Sequence, residues 1–159
     1  MKIGLYIGRF QPLHNGHYEV IKKMNQENDL SYCIIIRGKK SSLDKNLNPF
    51  SLDSQIKMFS SSLRNFKNIG LSVFENAFMP KIIGFLTRKD DYVNLYIGPD
   101  RFNSYKQYIQ MFKNFEIITC DFNRKNISGS MIRDLINQKQ FNQIPNHIPY
   151  PIEILLNCS

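Results

Sequence analysis

No run of about 18 consecutive apolar residues occurs in this chain, so no membrane-spanning helix is expected. Cysteine is scarce. Cys33, Cys120 and Cys158 lie far apart, are odd in number and form neither a C-x-x-C pair nor a zinc-binding spacing. Cys33 and Cys120 sit in apolar stretches and read as small buried hydrophobes, not nucleophiles. The opening Met-Lys-Ile-Gly-Leu-Tyr-Ile-Gly turns polar too soon for a signal peptide, so a cytoplasmic protein is expected. Acidic residues are few: 13 Asp and Glu stand against 21 Lys and Arg, for a net charge of +8. That excess favours an anionic ligand, either a nucleotide or a nucleic acid. The basic residues are scattered, from Lys22-Lys23 and Lys39-Lys40 to Arg88-Lys89 and Arg124-Lys125, so charge alone does not choose between the two. At 159 residues and 42% hydrophobic content, the chain is read as a single domain, 1–159, with a real core.

Hydrophobic patterning predicts alternating strands and helices. Lys2–Ile7, Tyr32–Ile36, Ile69–Phe74, Tyr92–Ile97 and Phe115–Cys120 read as strands. Helices are expected from Asn15 to about Glu27, and from a Ser51 cap to about Phe66 with Ile56, Met58, Phe59 and Leu63 partly buried. Others run from Pro80 to about Thr87, from an Asp100 cap to about Phe112, and from a Ser128 cap to Lys139. A short closing helix is expected near Ile152–Leu156. This order implies an α/β, Rossmann-like, doubly wound parallel five-stranded sheet. In such sheets ligands bind at the carboxyl ends of the strands, where Gly8, Gly98 and the Asp121–Ser128 loop fall.

Two phrases concentrate phosphate-holding chemistry. In Gly8-Arg9-Phe10-Gln11-Pro12-Leu13-His14-Asn15-Gly16-His17, Gly8 lets the chain turn and a ligand approach, and Pro12 stiffens the loop. His14 and His17 stand three apart at a helix start, whose backbone N–H groups and positive dipole end favour anions. With Arg9 they suit a triphosphate and the charge that develops on phosphorus. The same histidine spacing also occurs in zinc sites, but only His147 is left as a third imidazole, and no metal site is assigned. In Ile127-Ser128-Gly129-Ser130-Met131-Ile132-Arg133, a serine cap leaves the Gly129 and Ser130 N–H groups available, with Arg133 one turn on.

His14-Asn15-Gly16-His17 resembles the H-x-G-H signature of the nucleotidyltransferase superfamily, and Ile127–Arg133 resembles its I-S-x-[ST]-x-x-R signature. Within it, Gly8–Pro12, Asn48-Pro49-Phe50-Ser51 and Asn76-Ala77-Phe78 resemble archaeal-type nicotinamide-mononucleotide adenylyltransferases over nearly the whole chain. The resemblance implies that ATP and nicotinamide mononucleotide give NAD and pyrophosphate, with Mg²⁺ bridging the ATP phosphates, by direct in-line attack. It assigns His14, His17 and Arg133 to catalysis. Gly8, Arg9, Phe10, Ser128, Gly129 and Ser130 would bind nucleotide, as would Asp100 and Arg101 of a Gly98-Pro99-Asp100-Arg101 turn. Asn76 and Phe78 would meet the acceptor. Homo-oligomers are common in the family and are expected here.

The chain departs from the family pattern at two places. Asp53-Ser54-Gln55 replaces the family's Gly-Glu-Arg, and no tryptophan is present where the family stacks one on nicotinamide. Both touch the acceptor side more than the phosphate side. Three alternatives therefore stay open: another acceptor such as phosphopantetheine, or a phosphorylated alcohol with CTP; a phage-type relative joining nicotinamide to pyrophosphate-activated ADP-ribose; and a basic nucleic-acid-binding domain of the same fold. Intact His14, His17 and Arg133 weigh against the last.

Overall fold

The computed structural model describes residues 1–39, 43–121 and 127–157. Lys40, the Arg124-Lys125 pair and Cys158 lie outside the described residues. The chain forms two compact units, each discontinuous in sequence. One comprises residues 1–8, 20–37 and 68–121; the other comprises 9–19, 38–67 and 122–159.

The first unit holds the sheet. Strands β1 (Lys2–Gly8), β2 (Leu30–Ile36), β3 (Ile69–Phe74), β4 (Tyr92–Ile97) and β5 (Phe115–Thr119) are all parallel, in the order β3-β2-β1-β4-β5. Helix α1 (Asn15–Glu27) links β1 to β2, and α3 (Met79–Leu86) links β3 to β4. The order reverses between β1 and β4, the point at which open α/β sheets bind ligands. Leu5 lies opposite Leu95 there, and Gly8 and Gly98 stand at the carboxyl ends of these two strands. The α/β doubly wound expectation is borne out.

The strands are apolar because both faces are covered. On one face Ile3, Leu5, Ile7, Val93, Leu95 and Ile97 pack with Met79 and Ile82 of α3 and with Tyr105, Tyr108 and Phe115. Residues 20–27 of α1 meet the other face, where a polar layer sits. The Tyr96 hydroxyl donates to Glu27 (2.6 Å) and accepts from Asn28 (2.8 Å), whose side-chain oxygen accepts from Asn94 (2.8 Å). Burial, then the Glu27 carboxylate, pushes the Tyr96 phenol up. Gly4 is what lets α1 come this close. A Cβ there would stand 2.5 Å from Met24 Cγ, 2.7 Å from Ser31 Oγ and 2.8 Å from Asn28 Nδ2. Gly4→Ala is therefore expected to destabilise the fold by about 1–3 kcal/mol through overpacking, read as a lower denaturant midpoint at unchanged slope. Cys33 is fully buried in β2 and burial pushes its thiol up; burial also raises Cys120, as befits unreactive cysteines.

The segment after β4 differs from its expectation. Asp100 does not cap a helix. Gly98 precedes a 3₁₀ turn over Pro99–Arg101, closed by Arg101 N–H to the Gly98 carbonyl (3.0 Å), and two short helices follow, α4 (Phe102–Tyr105) and α5 (Gln107–Met111). Proline fixes the first turn, and the buried Tyr105 and Tyr108 then set where the chain resumes.

The second unit holds α2 (Leu52–Ser62), α6 (Gly129–Asn137) and α7 (Glu153–Leu156). Ser51 caps α2 as expected, accepting from the Ser54 N–H (3.2 Å). The helix ends four residues short of the expected Phe66, where a tighter turn joins Phe66 N–H to the Leu63 carbonyl (2.9 Å). Its buried face also corrects the sequence reading. Gln55, Met58, Phe59 and Ser62 are buried, whereas Ile56 is 38% exposed. No helix among the described residues is long and apolar enough to cross a membrane.

Candidate phosphate site

The site grows out of the first turn of α1, in the second unit. His14 sits just before the helix, and its Nδ1 accepts the backbone N–H groups of Gly16 (3.0 Å) and, at greater length, His17 (3.4 Å). His17 answers: its Nδ1 accepts the backbone N–H of His14 (3.2 Å). This is a capping box built from two imidazoles, and it explains the spacing of three. The rings stack, with centroids 3.7 Å apart and planes at 22°. A neutral imidazole that accepts at Nδ1 carries its proton at Nε2. The cap therefore fixes the tautomer of both histidines and makes each Nε2 a donor, the polarity a phosphate oxygen requires.

The loop before the helix is held from several sides. Phe10 adopts φ 50°, and among the described residues no glycine has a positive φ, so the left-handed residue of this turn is Phe10 and not Gly8. The Phe10 ring packs edge-on against His17 and against Phe59, each at 4.9 Å. The Gln11 side chain pairs with the backbone of Phe50, donating to its carbonyl (3.1 Å) and accepting its N–H (2.9 Å). This ties the Pro49-Phe50 segment to the loop. Tyr150 donates to the Leu13 carbonyl (2.6 Å) and Asn15 to that of Asn146 (3.0 Å), so the proline-rich tail is also fastened here.

The second phrase meets the first through one bond. Ser128 caps α6, its hydroxyl accepting from the Met131 N–H (3.2 Å), with Gly129 and Ser130 in the first turn. Arg133 Nη1 donates to the Gln11 carbonyl (2.6 Å). A Cβ on Gly129 would stand 3.0 Å from that carbonyl oxygen and 3.1 Å from Arg133 Nη1, so this glycine marks a close approach. Burial, then the neighbouring Arg9 guanidinium, pulls the Arg133 pKa below its ordinary value. The two guanidiniums repel each other in a partly desolvated setting, an arrangement that a bound anion would relieve. Arg133 and Ser130 also line a cavity of about 560 Å³ with Lys45, Phe50, Phe141 and Leu155.

The structure thus gathers Arg9, Phe10, His14, His17, Ser128, Gly129, Ser130 and Arg133 in one unit. Gly8, Asn76, Phe78, Asp100 and Arg101 belong to the other, Gly8 as the last residue of β1 and the rest just beyond the carboxyl ends of β3 and β4. There Asn76 Oδ1 accepts the Phe78 N–H (3.2 Å), and Phe78 is 55% exposed. Sequence reasoning gave no role to Gln11, Gln55 or Tyr150. The sole signal for Gln11 was its place inside a phosphate-rich phrase; Gln55 showed only as a departure from a family pattern.

Residues 5–135 match the cytidylyltransferase-like family. A nicotinamide-nucleotide adenylyltransferase of Methanococcus aeolicus is 33% identical over 153 residues, 91% of this chain and 84% of that protein. A phosphopantetheine adenylyltransferase of Mycoplasma mycoides is 26% identical over 140 residues, 85% of this chain and 96% of that protein. The crystal structure of a NadR protein in complex with NR superposes with a TM-score of 0.65 at 20% identity, which bears on the fold. It covers 93% of this chain, while this chain spans 42% of that longer one. The chain belongs to the cytidylyltransferase-like family and is an enzyme of the nucleotidyltransferase type, its H-x-G-H and I-S-x-[ST]-x-x-R phrases joined through Arg133 and Gln11.

Proposed function

We propose that this enzyme transfers the adenylyl group of ATP to nicotinamide mononucleotide, giving NAD and pyrophosphate. The observation that carries the adenylyl half is the paired histidine cap, which makes Nε2 the donor of each ring, in the same unit as the mutually repelling Arg9 and Arg133 cations. The acceptor half rests on the Methanococcus aeolicus relative, whose likeness runs over 91% of the chain.

In this reaction the mononucleotide phosphate attacks the α-phosphorus in line. A new P–O bond forms as the bond to the bridging oxygen of the β-phosphate breaks, and pyrophosphate leaves with the electron pair. The nucleophile is already an anion, so no general base is needed, and catalysis is positioning and charge neutralisation. His14 and His17 donate to phosphate oxygens. Arg9 and Arg133 neutralise the leaving pyrophosphate, and Ser128, Gly129 and Ser130 hold its oxygens through a hydroxyl and first-turn N–H groups. Mg²⁺ bound with ATP would supply further charge neutralisation at the phosphate oxygens beside Arg9 and Arg133; among the described residues no three His, Cys, Asp or Glu side chains gather to hold an ion, so the triphosphate itself would be its main ligand.

Phosphopantetheine is the second acceptor to weigh, because the Mycoplasma mycoides relative matches over 96% of its own length. The deciding experiment supplies ATP, Mg²⁺ and either nicotinamide mononucleotide or phosphopantetheine, and follows pyrophosphate release with product mass. NAD is expected from the first mixture. Its absence, with an adenylylated product from the second, would replace the acceptor and leave the adenylyl chemistry intact.

A further inference from the structure

We propose that Gln55 is a positioning residue for the phosphate site, setting the turn that presents Arg9 and Phe10 and, through the Phe10 ring, the place of His17; this rests on the reading of Arg9, His14 and His17 as a phosphate clamp. Gln55 is 0% exposed, while its neighbour Ile56 is 38% exposed. Burial of apolar surface would favour the opposite arrangement. What holds the amide inside is its Nε2, which donates to two consecutive carbonyls, those of Arg9 (2.6 Å) and Phe10 (2.8 Å).

Consecutive carbonyls of an extended chain point to opposite sides. They converge on one donor where the backbone turns, and the turn here is Phe10 at φ 50°. A left-handed phenylalanine persists only where its surroundings hold it. Helix α2 does so twice, through the Gln55 amide on the backbone and through Phe59 against the ring. The same ring also meets His17 in an edge-on contact, and the His17 imidazole stacks on His14. The line of contact therefore runs from one buried amide, through one strained residue, to both donors of the clamp. Gln55 stands where the family has the arginine of Gly-Glu-Arg. A guanidinium fork also offers two N–H groups to two carbonyls, so arginine is the conservative replacement.

The test compares wild type with Gln55→Met, Gln55→Arg and a control, Ser62→Ala. Ser62 is buried on the same helix, seven residues beyond Gln55, and donates to the Met58 carbonyl (2.7 Å). Displacing reacting groups by about 1 Å costs on the order of 10²-fold. Gln55→Met is expected to lower kcat for pyrophosphate release by about 10–10²-fold. Ser62→Ala should lower Tm and leave kcat near wild type, and Gln55→Arg should recover most of the loss. If Gln55→Met does not fold, Gln55→Asn, which withdraws the amide by one methylene, is judged by the same criteria. A second readout needs no turnover. Long-range ¹H–¹⁵N spectra of the free protein should show the His17 ring resonances, which report its edge-on contact with Phe10, shifted in Gln55→Met and at their wild-type positions in Ser62→Ala. Unchanged spectra, or a kcat loss no larger than that of Ser62→Ala at equal loss of Tm, would overturn the role of Gln55. A wild-type protein that releases no pyrophosphate with any acceptor would instead overturn the clamp.

Discussion

Replacing His17 with alanine is expected to slow ATP-dependent pyrophosphate release by about 10²–10³-fold, or about 3–4 kcal/mol of transition-state stabilisation. The side chain does three things at once. In the proposed function its Nε2 would supply a donor for phosphate, while its Nδ1 accepts the His14 N–H at 3.2 Å and its ring lies edge-on to Phe10. These separate experimentally. In His17→Asn the amide oxygen sits near the former Nδ1 and keeps the cap, but nothing replaces Nε2. Asparagine should therefore recover the Tm lost in alanine while leaving the rate low. The measurement is steady-state release of pyrophosphate beside a thermal melt of each variant. A rate restored together with the melt would mean that His17 acts by capping α1 and not by meeting phosphate.

The second large effect is expected at Arg133. Arg133→Ala should lower kcat/KM for ATP by about 10²-fold or more, because it removes a cation and a donor together. The guanidinium has one nitrogen committed to the Gln11 carbonyl at 2.6 Å, and its fork still carries other N–H groups for a ligand. Lysine has charge but no planar fork, and its three N–H groups radiate from one atom, so they do not span the carbonyl and the phosphate as separate guanidinium nitrogens can. Arg133→Lys should accordingly recover only part of the loss. Since salt screens the attraction of each cation for the ATP polyanion, removing either Arg9 or Arg133 should also flatten the fall of ATP affinity with added salt. Calorimetric titration of ATP at two ionic strengths reads this directly. Wild-type affinity and salt dependence in Arg133→Ala would contradict a charge-neutralising role.

The strands and most helix starts were legible because they depend on local pattern. Apolar runs bounded by glycine gave β1 and β4, and Ser51 and Ser128 cap α2 and α6 as a serine before an apolar stretch should. The two phosphate phrases were legible because their chemistry is concentrated within a few residues. The failures share a physical origin. Asp100 has the makings of a cap, yet Pro99 and the burial of Tyr105 and Tyr108 produce a 3₁₀ turn and two short helices instead. Ile56 was expected to be partly buried and is 38% exposed, while the neighbouring Gln55 takes the buried place because its amide meets two distant carbonyls. Gly8 was read as the residue that turns the chain, and the left-handed conformation belongs to Phe10.

The sequence by itself determined the sheet, the family resemblance and which residue types meet a triphosphate, since composition, periodicity and short-range spacing carry that information. Only the tertiary structure decided how those residues are held. The tautomer of His14 and His17 depends on backbone N–H groups that exist as donors once α1 has formed. The link between the two phrases is a bond across 122 positions, from Arg133 to Gln11, and the turn between Arg9 and Gln11 is fixed by an amide 45 residues beyond Phe10. Contacts of that separation leave no periodicity in the chain, because they are set by where the folded backbone returns.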